Sequence, residues 1–298
     1  MVDTIDLERL AGRFSGRYVA KMIIPTIGRA LRIKPALAYL EVHLVDHCNL
    51  NCKSCGHFSP IADEWFADPD KFAQDMLQLK KLFSNIRLIR LMGGEPLLHP
   101  KIERFLFYAR DCFAKADVRI VTNGVLITQM SNSFWEACRA YSIGFDITVY
   151  PPLKHRIALF KELARAKGVR LRTLKTAESF YAFYNRKGDS DVKLSFQRCR
   201  PRWNAVPNLR NGRLYSCPIP TYIHYFNKRF GTRIPSDGYV GIYASNLTGW
   251  DVKKALDKAP STCGYCTYGW KRVPRLSWSQ SNRVITDWEP TGIPAQNV

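Results

Sequence analysis

The sequence predicts an α/β fold in which short strands alternate with longer helices and form a parallel sheet. From residue 36 onward, apolar runs of strand length alternate with segments whose apolar residues recur at helical spacing. The chain has 298 residues, 46% of them hydrophobic, which suits one large domain or a barrel with a smaller second unit. Two architectures remain open at this point: an open doubly wound sheet, and a full or partial barrel.

Each strand is predicted by a short apolar run, and each helix by apolar residues three and four positions apart. The first strand, ALAYLEVHLV, leads directly into a loop rich in cysteine. The predicted strands are 36–45, 86–92, 118–124, 145–150 and 169–175, and the predicted helices between them are 70–83, 101–115, 131–141 and 155–168. This order is typical of consecutive βα units.

A basic amphipathic helix is predicted before the first strand, over residues 5–24. Its apolar face carries Leu7, Leu10, Phe14, Tyr18 and Met22, and the stripe beside it carries Arg9, Arg13, Arg17 and Lys21. Such a helix can pack against the domain that follows it, which is the commoner case, or it can lie on a membrane or hold an anion.

The pattern changes near Gln197, where the βα alternation stops. The segment NLRNGRLYSC (208–217) predicts a hairpin around its Asn-Gly pair, and we expect loops rich in Pro, Gly and aromatic residues beyond it. We therefore divide the chain into an N-terminal helical extension (1–35), a βα unit (36–198) and a C-terminal unit (199–298). We expect the last unit to be stabilised by something other than an apolar core of its own.

The chain is strongly basic, and the charge is uneven. The formal net charge is +20, and residues 199–298 hold 14 basic against 5 acidic residues. Such a surface attracts anions, including nucleotide-linked metabolites, RNA or an anionic membrane, although a solvated surface alone accounts for it equally well. No apolar run approaches the roughly 20 residues of a spanning helix, and the acidic N-terminus does not fit a signal peptide. We expect a cytoplasmic protein with reduced thiols.

Three cysteines, Cys48, Cys52 and Cys55, lie in the loop HCNLNCKSCGHFSP directly after the first strand. Parallel βα folds place their chemistry at this end of the strands. Three thiolates can hold a [4Fe–4S] cluster and leave one iron open to a substrate or cofactor. The alternatives are a zinc site completed by His47 or His57, and scattered core cysteines.

These cysteines, with the spacing C-x3-C-x2-C, resemble those of the radical S-adenosylmethionine (SAM) superfamily. Two further motifs occur in the order expected for that family. Gly93-Gly94-Glu95-Pro96 resembles the motif that receives the amino group of SAM, and Thr122-Asn123-Gly124 suits a contact to its ribose or carboxylate, unless it is an ordinary strand-to-loop turn. The family commonly has an aromatic residue before the third cysteine, where this chain has Ser54. His57 and Phe58 are expected to take over the packing near the adenine.

The resemblance implies a partial (β/α)6 TIM-like barrel over residues 36–198 and a [4Fe–4S] cluster whose open iron binds the amino and carboxylate groups of SAM. It also implies that one electron, from a flavodoxin- or ferredoxin-type reductant, cleaves SAM to a 5′-deoxyadenosyl radical. That radical then abstracts a hydrogen atom from a substrate.

Four more cysteines, Cys199, Cys217, Cys263 and Cys266, lie in the C-terminal unit. Their order resembles the twitch module, a short relative of the SPASM domain, as found in the aminocyclitol dehydrogenase of the butirosin pathway. The resemblance implies a small C-terminal iron–sulfur domain that holds an auxiliary [4Fe–4S] cluster. A four-thiolate zinc ribbon is the alternative. Ligation by all four thiols would leave no open iron, which suits electron transfer.

Cys112 and Cys138 fall on predicted outer helices and are expected to behave as small apolar residues.

The leading hypothesis for function is oxidation of an alcohol in an anionic or sugar-like small molecule, such as a carbohydrate-like or nucleotide-linked compound, with the auxiliary cluster as electron acceptor. Epimerisation of a sugar and modification of a ribosomal peptide or protein side chain are the alternatives. RNA modification is also considered, from the charge and from Trp203, Trp250 and Trp270, but nucleic acid is not an expected partner because no RNA-binding motif is present. A non-enzymatic iron–sulfur protein is disfavoured by the GGEP motif. The catalytic base is not identified, and candidate substrate anchors are Tyr150, Lys154, Lys175, Arg200 and Arg202.

Overall fold

The computed structural model describes residues 17–174, 176–199 and 206–290, with side chains from residue 23 onward. The strands are β1 Ala36–Val45, β2 Asn85–Gly93, β3 Asp117–Thr122, β4 Gly144–Ile147, β5 Arg170–Thr173, β6 Ser179–Tyr181, β7 Asn208–Arg210, β8 Arg213–Tyr215, β9 Tyr239–Gly241 and β10 Arg275–Ser277. The α-helices are α1 Arg17–Ala30, α2 Pro69–Leu82, α3 Ile102–Cys112, α4 Asn132–Ala140, α5 Ile157–Ala166, α6 Val192–Arg198, α7 Pro218–Phe230 and α8 Gly249–Leu256.

Eight strands form one sheet in the order β5-β4-β3-β2-β1-β7-β8-β9. Strands β1 to β5 are parallel neighbours, as the alternating pattern predicts. A sixth parallel strand, β7, lies on the free edge of β1 and pairs Asn208 with Glu41. The prediction of a partial barrel with six parallel strands is confirmed, but the sixth strand comes from beyond residue 198. The boundary at residue 199 stays a prediction, since the sheet runs across it.

The helices of the βα units begin and end where local chemistry favours it. The Asp68 side chain caps α2 by accepting the N–H groups of Asp70 and Lys71, and Pro69 occupies the first turn. Ser131 caps α4 through the N–H of Phe134. The buried sides of these helices pack with the strands in one continuous apolar core.

The Asn-Gly hairpin is confirmed. Asn211 and Gly212 have φ of 48° and 72°, and they join β7 to β8 in an antiparallel pair. Two successive positive φ angles are what a type I′ turn needs, and Asn followed by Gly meets that need at low cost.

The expectation of loops beyond this hairpin was wrong, because two helices follow it. Helix α7 starts with Pro218 in its first turn and ends at Gly231 in the left-handed conformation. Helix α8 has a complete capping box between Thr248 and Asp251. The apolar side of α7 builds a second core cluster with Phe58 and Trp288, so this unit does not lack an apolar core.

Helix α1 ends later than predicted, at Ala30, and contains Pro25. The first part of the predicted helix, residues 5–16, lies outside the described residues. The described part packs against α8, where Arg29 forms an ion pair with Asp251, and Trp250 donates its indole N–H to the carbonyl of Ile33. The described residues of α1 therefore pack against a helix of the C-terminal unit, whereas the expectation was packing on the βα unit that directly follows α1 in the chain. No described helix is both long enough and apolar enough to cross a membrane.

Candidate metal centre and cofactor cavity

A cavity of about 260 Å³ opens at the carboxyl ends of strands β1 to β4. The three cysteines of the loop after β1 line it together with residues from the two other predicted motifs. The predicted site residues on its wall are Cys48, Cys52, Cys55, His57, Gly93, Gly94, Thr122 and Asn123. The parallel sheet brings these residues together because the carboxyl ends of parallel strands share one edge.

The three thiols are close neighbours in a largely desolvated loop. Burial raises the pKa of Cys48 to about 12, with the charge of Glu95 next in importance. Burial and the adjacent Cys55 thiol likewise raise the pKa of Cys52 to about 12. A thiolate in such surroundings needs a positive partner, and metal ions displace thiol protons in this way.

The donor set fits a four-iron cluster. It consists of sulfur atoms only, and three of them can bind three irons of one cluster. A zinc site would need a nearby fourth ligand, but the His57 ring packs edge-on against His43, and the His47 ring packs against Phe66. In the part of the chain that the structure describes, no three His, Cys, Asp or Glu side chains converge to hold a single metal ion.

Gly93 and Gly94 are required by close packing at the end of β2. A Cβ on Gly94 would lie 2.0 Å from the carbonyl oxygen of His47, and one on Gly93 would lie 2.0 Å from that of Val45. The N–H of Gly94 donates to the Val45 carbonyl at 2.7 Å. The two glycines therefore lock the end of β2 against the start of the cysteine loop, and they also form part of the cavity wall.

Glu95 is fully buried and joins the ends of β2 and β3. Its Oε1 accepts the hydroxyl of Thr122 at 2.6 Å and the N–H of Leu97 at 3.1 Å, while Oε2 accepts the N–H of Asn123 at 2.9 Å. Burial raises the pKa of Glu95 to about 7, although these hydrogen bonds oppose the shift. The carboxylate lies behind Thr122 and Asn123 and holds both in place.

Asn123 links β3 to the cysteine loop. Its Nδ2 donates to Asn49 Oδ1 at 2.8 Å and lies 3.7 Å from the sulfur of Cys48. Its Oδ1 accepts the N–H of Val125, so the side-chain amide is fixed at both ends. Gly124, with φ of 81°, donates its N–H to the hydroxyl of Thr122 and packs against Phe160 instead of lining the cavity.

His57 and Phe58, both predicted to pack near the adenine, lie in different surroundings. His57 lines the cavity, and burial together with the nearby His43 lowers its pKa to about 3, which keeps the imidazole neutral. Phe58 lies in the second core cluster between Phe183 and Trp288. Pro96 is buried in a short 3-10 turn behind the cavity.

Two tryptophans that sequence reasoning missed hold the cysteine loop from outside. Trp278 donates its indole N–H to the sulfur of Cys52 at 3.2 Å, and Trp288 donates its own to the carbonyl of Cys55 at 2.9 Å. Both are more than 220 residues away along the chain. Thr148 and Phe180 on the cavity wall were missed as well.

The second group of cysteines is also brought together. Cys199 follows α6, Cys217 precedes α7, and Cys263 and Cys266 lie in and after the 3-10 turn of residues 261–265. Burial raises the pKa of Cys217, and the other three thiols raise it further. Thiols act on one another's pKa only when they are neighbours. All nine cysteines lie in described residues, and none forms a disulfide.

Cys112 and Cys138 are buried in the main apolar core on α3 and α4, which confirms the prediction that they behave as apolar residues. Burial raises the pKa of both thiols. Among the candidate anchors, Tyr150 lines the cavity, while Lys154 pairs with Glu178 on the surface. Lys175, Arg200 and Arg202, with Trp203, lie outside the described residues.

Comparison with known proteins gives one family match and several partial relatives. Residues 42–174 match the Radical SAM superfamily. The GTP 3′,8-cyclase of Microcystis aeruginosa is 31% identical over 118 residues, which is 36% of this chain and 34% of that protein. The mitochondrial GTP 3′,8-cyclase of Arabidopsis thaliana is 25% identical over 244 residues, which is 81% of this chain and 54% of that protein. The chain thus spans about a third to about half of the length of these relatives.

Two similar solved structures are BtrN in complex with AdoMet and 2-DOIA, and anSMEcpe with bound AdoMet. The first has a TM-score of 0.46 at 16% identity and covers 78% of this chain and 94% of that one. The second has a TM-score of 0.43 at 14% identity and covers 80% of this chain and 84% of that one. Because both TM-scores are below 0.5, these likenesses support no conclusion about the function of this chain. The matched region runs from β1 to just beyond β5 and contains the cysteine trio and the Gly93-Gly94-Glu95-Pro96 turn, so residues 42–174 match a radical SAM domain.

Proposed function

We propose that this chain oxidises a hydroxyl group of a small, sugar-like molecule, with Cys48, Cys52 and Cys55 as ligands of a [4Fe–4S] cluster that binds SAM. When bound, the cluster and SAM would supply a 5′-deoxyadenosyl radical as the acceptor of the carbinol hydrogen atom; the hydroxyl proton would leave to a base or to solvent, and a second cluster would accept the remaining electron. The observation that carries the proposal is that the three thiols share one cavity with Gly93, Gly94 and Asn123.

The chain's own contribution on the cofactor side is rigid positioning. The ends of β2 and β3 are tied together through Glu95, which fixes the hydroxyl of Thr122 and the backbone of Asn123. The backbone at Gly94 packs directly on the cysteine loop. An amino group bound near the buried Glu95 carboxylate would find a negative charge that no described cation neutralises by a hydrogen bond.

The cavity wall supports a neutral, hydroxyl-rich substrate. Besides the thiols it offers the hydroxyls of Ser59, Thr148 and Tyr150 and the neutral imidazole of His57. Burial raises the pKa of Tyr150 well above its ordinary value, so the phenol keeps its proton and donates it in hydrogen bonds. Among the described residues that line the cavity there is no lysine or arginine. Such a surface recognises hydroxyls better than phosphates.

The second group of thiols supports an auxiliary cluster held by Cys199, Cys217, Cys263 and Cys266. Cys217 stands directly before the first turn of α7, where Pro218 and Pro220 have no N–H and the N–H of Ile219 donates to the Cys217 thiol. Tyr268, whose pKa is raised by burial and by Cys266, packs against Tyr181. The backbone of Tyr181 in turn accepts the hydroxyl of Ser54 in the first cysteine loop. The two cysteine groups are therefore joined through a short run of contacts.

A second candidate is cyclisation of a purine nucleoside triphosphate, which the GTP 3′,8-cyclase relatives favour. A triphosphate needs several cations, and the described cavity wall offers none. Basic residues of the C-terminal unit would have to supply them.

The decisive experiment measures 5′-deoxyadenosine formed by anaerobically reconstituted protein with reductant, SAM and defined candidate substrates. Cyclitols, sugars and sugar nucleotides form one arm, GTP a second, and peptides a third. Stimulation in the first arm, with a product two hydrogens lighter, supports alcohol oxidation. A product of unchanged mass that carries solvent deuterium would mean epimerisation, and stimulation only by GTP or by peptide would replace the proposed substrate class.

Cysteine variants test the two ligand sets. Replacing Cys48, Cys52 and Cys55 together with Ala should abolish SAM cleavage, while Cys112→Ala, which removes a core thiol, should leave it intact. Replacing the four C-terminal cysteines with Ala should lower the iron content from about eight to about four atoms per chain. SAM cleavage by the first variant, or an unchanged iron content in the second, would contradict the corresponding assignment.

A further inference from the structure

We propose that Trp278 sets the redox potential of the cluster at Cys48, Cys52 and Cys55 by donating its indole N–H to the sulfur of Cys52. The inference deepens the proposed function and rests on Cys52 being a cluster ligand. Trp278 is a positioning and tuning residue, since it acts on the cluster through a ligand sulfur.

The contact is short and specific. The distance between Trp278 Nε1 and Cys52 Sγ is 3.2 Å, and the sulfur belongs to a buried residue. By comparison, the N–H of Leu50 lies 3.5 Å and Asn123 Nδ2 lies 3.7 Å from Cys48 Sγ. An indole nitrogen is a hydrogen-bond donor only, so in this contact Trp278 donates and the sulfur of Cys52 accepts.

The backbone holds Trp278 in this position from two sides. On one side, the Ser279 carbonyl accepts the N–H of Lys53 at 2.8 Å, and the Asn51 carbonyl accepts the N–H of Ser281 at 2.7 Å. Residues 279–281 thus lie along the cysteine loop, with an isolated antiparallel bridge between Cys52 and Gln280. On the other side, the N–H of Trp278 donates to the Glu178 carbonyl at 2.8 Å.

That second anchor connects Trp278 to the cavity wall. Strand β10, which ends one residue before Trp278, pairs antiparallel with β6, and Phe180 of β6 lines the cavity. A tryptophan fixed at both its backbone and its ring makes a hydrogen bond that is present before any cofactor binds, so no ordering of the side chain opposes it.

A hydrogen bond to a ligand sulfur stabilises negative charge on the cluster. The reduced cluster carries one more negative charge than the oxidised one, so the bond favours reduction and raises the midpoint potential. Removal of the donor should therefore make the cluster harder to reduce, which matters because SAM cleavage begins with that electron.

The chain offers a matched control in Trp288. It lies in the same C-terminal segment and also donates to the cysteine loop, but its acceptor is the carbonyl oxygen of Cys55 at 2.9 Å. Trp288→Phe removes an indole N–H from the loop without removing one from a sulfur. Trp278→Phe keeps the aromatic packing and removes only the donor to sulfur.

The test is a redox titration of the reconstituted proteins followed by electron paramagnetic resonance, using the signal that changes on addition of SAM. We expect Trp278→Phe to shift the one-electron equilibrium several-fold towards the oxidised cluster, where tenfold corresponds to about 59 mV. Trp288→Phe should keep the wild-type potential. Equal potentials in all three proteins, at equal iron content, would overturn the proposal.

A second measurement keeps the proposal testable if Trp278→Phe does not hold its cluster. In protein with ¹⁵N-labelled indole, pulsed electron paramagnetic resonance should detect ¹⁵N coupled to the reduced cluster in the wild type and in Trp288→Phe. Absence of that coupling in both would reject the contact. Failure of the proposed function gives a different result: Cys52→Ala would then retain the SAM-responsive signal unchanged, whatever the behaviour of Trp278.

Discussion

At the scale of single residues, Glu95 differs from a surface carboxylate because it is both buried and held by hydrogen bonds. It accepts three hydrogen bonds from the ends of β2 and β3, and it has no exposed surface. The hydrogen bonds favour the charged form and burial opposes it, with burial prevailing, so that the pKa rises from 4.5 to about 7. Holding a negative charge at this position costs folding free energy that a bound ammonium group would offset.

This balance predicts a pH dependence. Because the pKa of Glu95 is raised in the folded protein, its contribution to stability is present below pH about 4.5 and is lost as the pH rises to about 7. Glu95→Gln stays neutral throughout. Chemical unfolding without SAM should show the wild type losing up to about 3 kcal/mol relative to this variant across that interval. A difference between the two proteins that does not change with pH would show that Glu95 titrates normally.

At the scale of elements, the end of β2 crosses the cysteine loop, and the backbone at Gly94 there lies directly against the backbone at His47. Gly94→Ala would place a methyl group 2.0 Å from the His47 carbonyl oxygen, and backbone cannot move aside as a flexible side chain can. We expect a loss of at least about 2 kcal/mol in the free energy of unfolding, with lower iron retention.

Gly56→Ala is the matched control for this prediction, because Gly56 lies in the same loop and on the same cavity. A Cβ there would meet only the end of the Ile219 side chain at 3.9 Å, an ordinary contact. Denaturant unfolding and iron analysis of both variants should separate them clearly. Equal effects would mean that the crossing tolerates a side chain and that our account of Gly94 is wrong.

At the scale of the whole molecule, the C-terminal unit is fixed to the end of β1 through Asp46. This buried carboxylate forms an ion pair with Arg210 of β7 at 2.7 Å and accepts the hydroxyl of Tyr225 of α7 at 2.6 Å. Burial raises the pKa of Asp46, but its hydrogen bonds with His43 and Tyr225 and the charge of Arg210 outweigh burial and lower it to about 2. The side chain is therefore charged and fully engaged.

Removing the charge of Asp46 should weaken the contacts that hold β7 and α7 against the end of β1. Asp46→Asn leaves Arg210 buried without its anion, and such losses cost about 3–5 kcal/mol. Asp63→Asn removes an exposed pair with Lys228 of the same helix and should cost at most about 1 kcal/mol. Urea unfolding of the two variants gives the comparison. A cost for Asp46→Asn as small as that for Asp63→Asn would show that apolar packing alone holds α7 in place.

Local pattern was enough to predict the βα alternation and the cysteine trio. Strands β1 to β5 could be located because each is a short apolar run and successive runs are separated by a segment of helical period, signals that are local in the chain. The hairpin at Asn211 and Gly212 could be predicted because its turn chemistry is local too. Helices α7 and α8 were missed because proline, glycine and aromatic residues masked their helical period.

What the sequence by itself determined about this protein is the parallel βα sheet, the open three-thiol set after its first strand and the glycine-rich turn after its second. Only the tertiary structure decided that β7 pairs beside β1, that Phe58 belongs to a core while His57 faces the cavity, and that Trp278 reaches Cys52. The physical reason is the separation along the chain between the residues that interact. Hydrogen bonds between residues more than 160 positions apart leave no periodicity or spacing in the chain, and they exist only once the packing of the sheet and of α7 has brought their partners together.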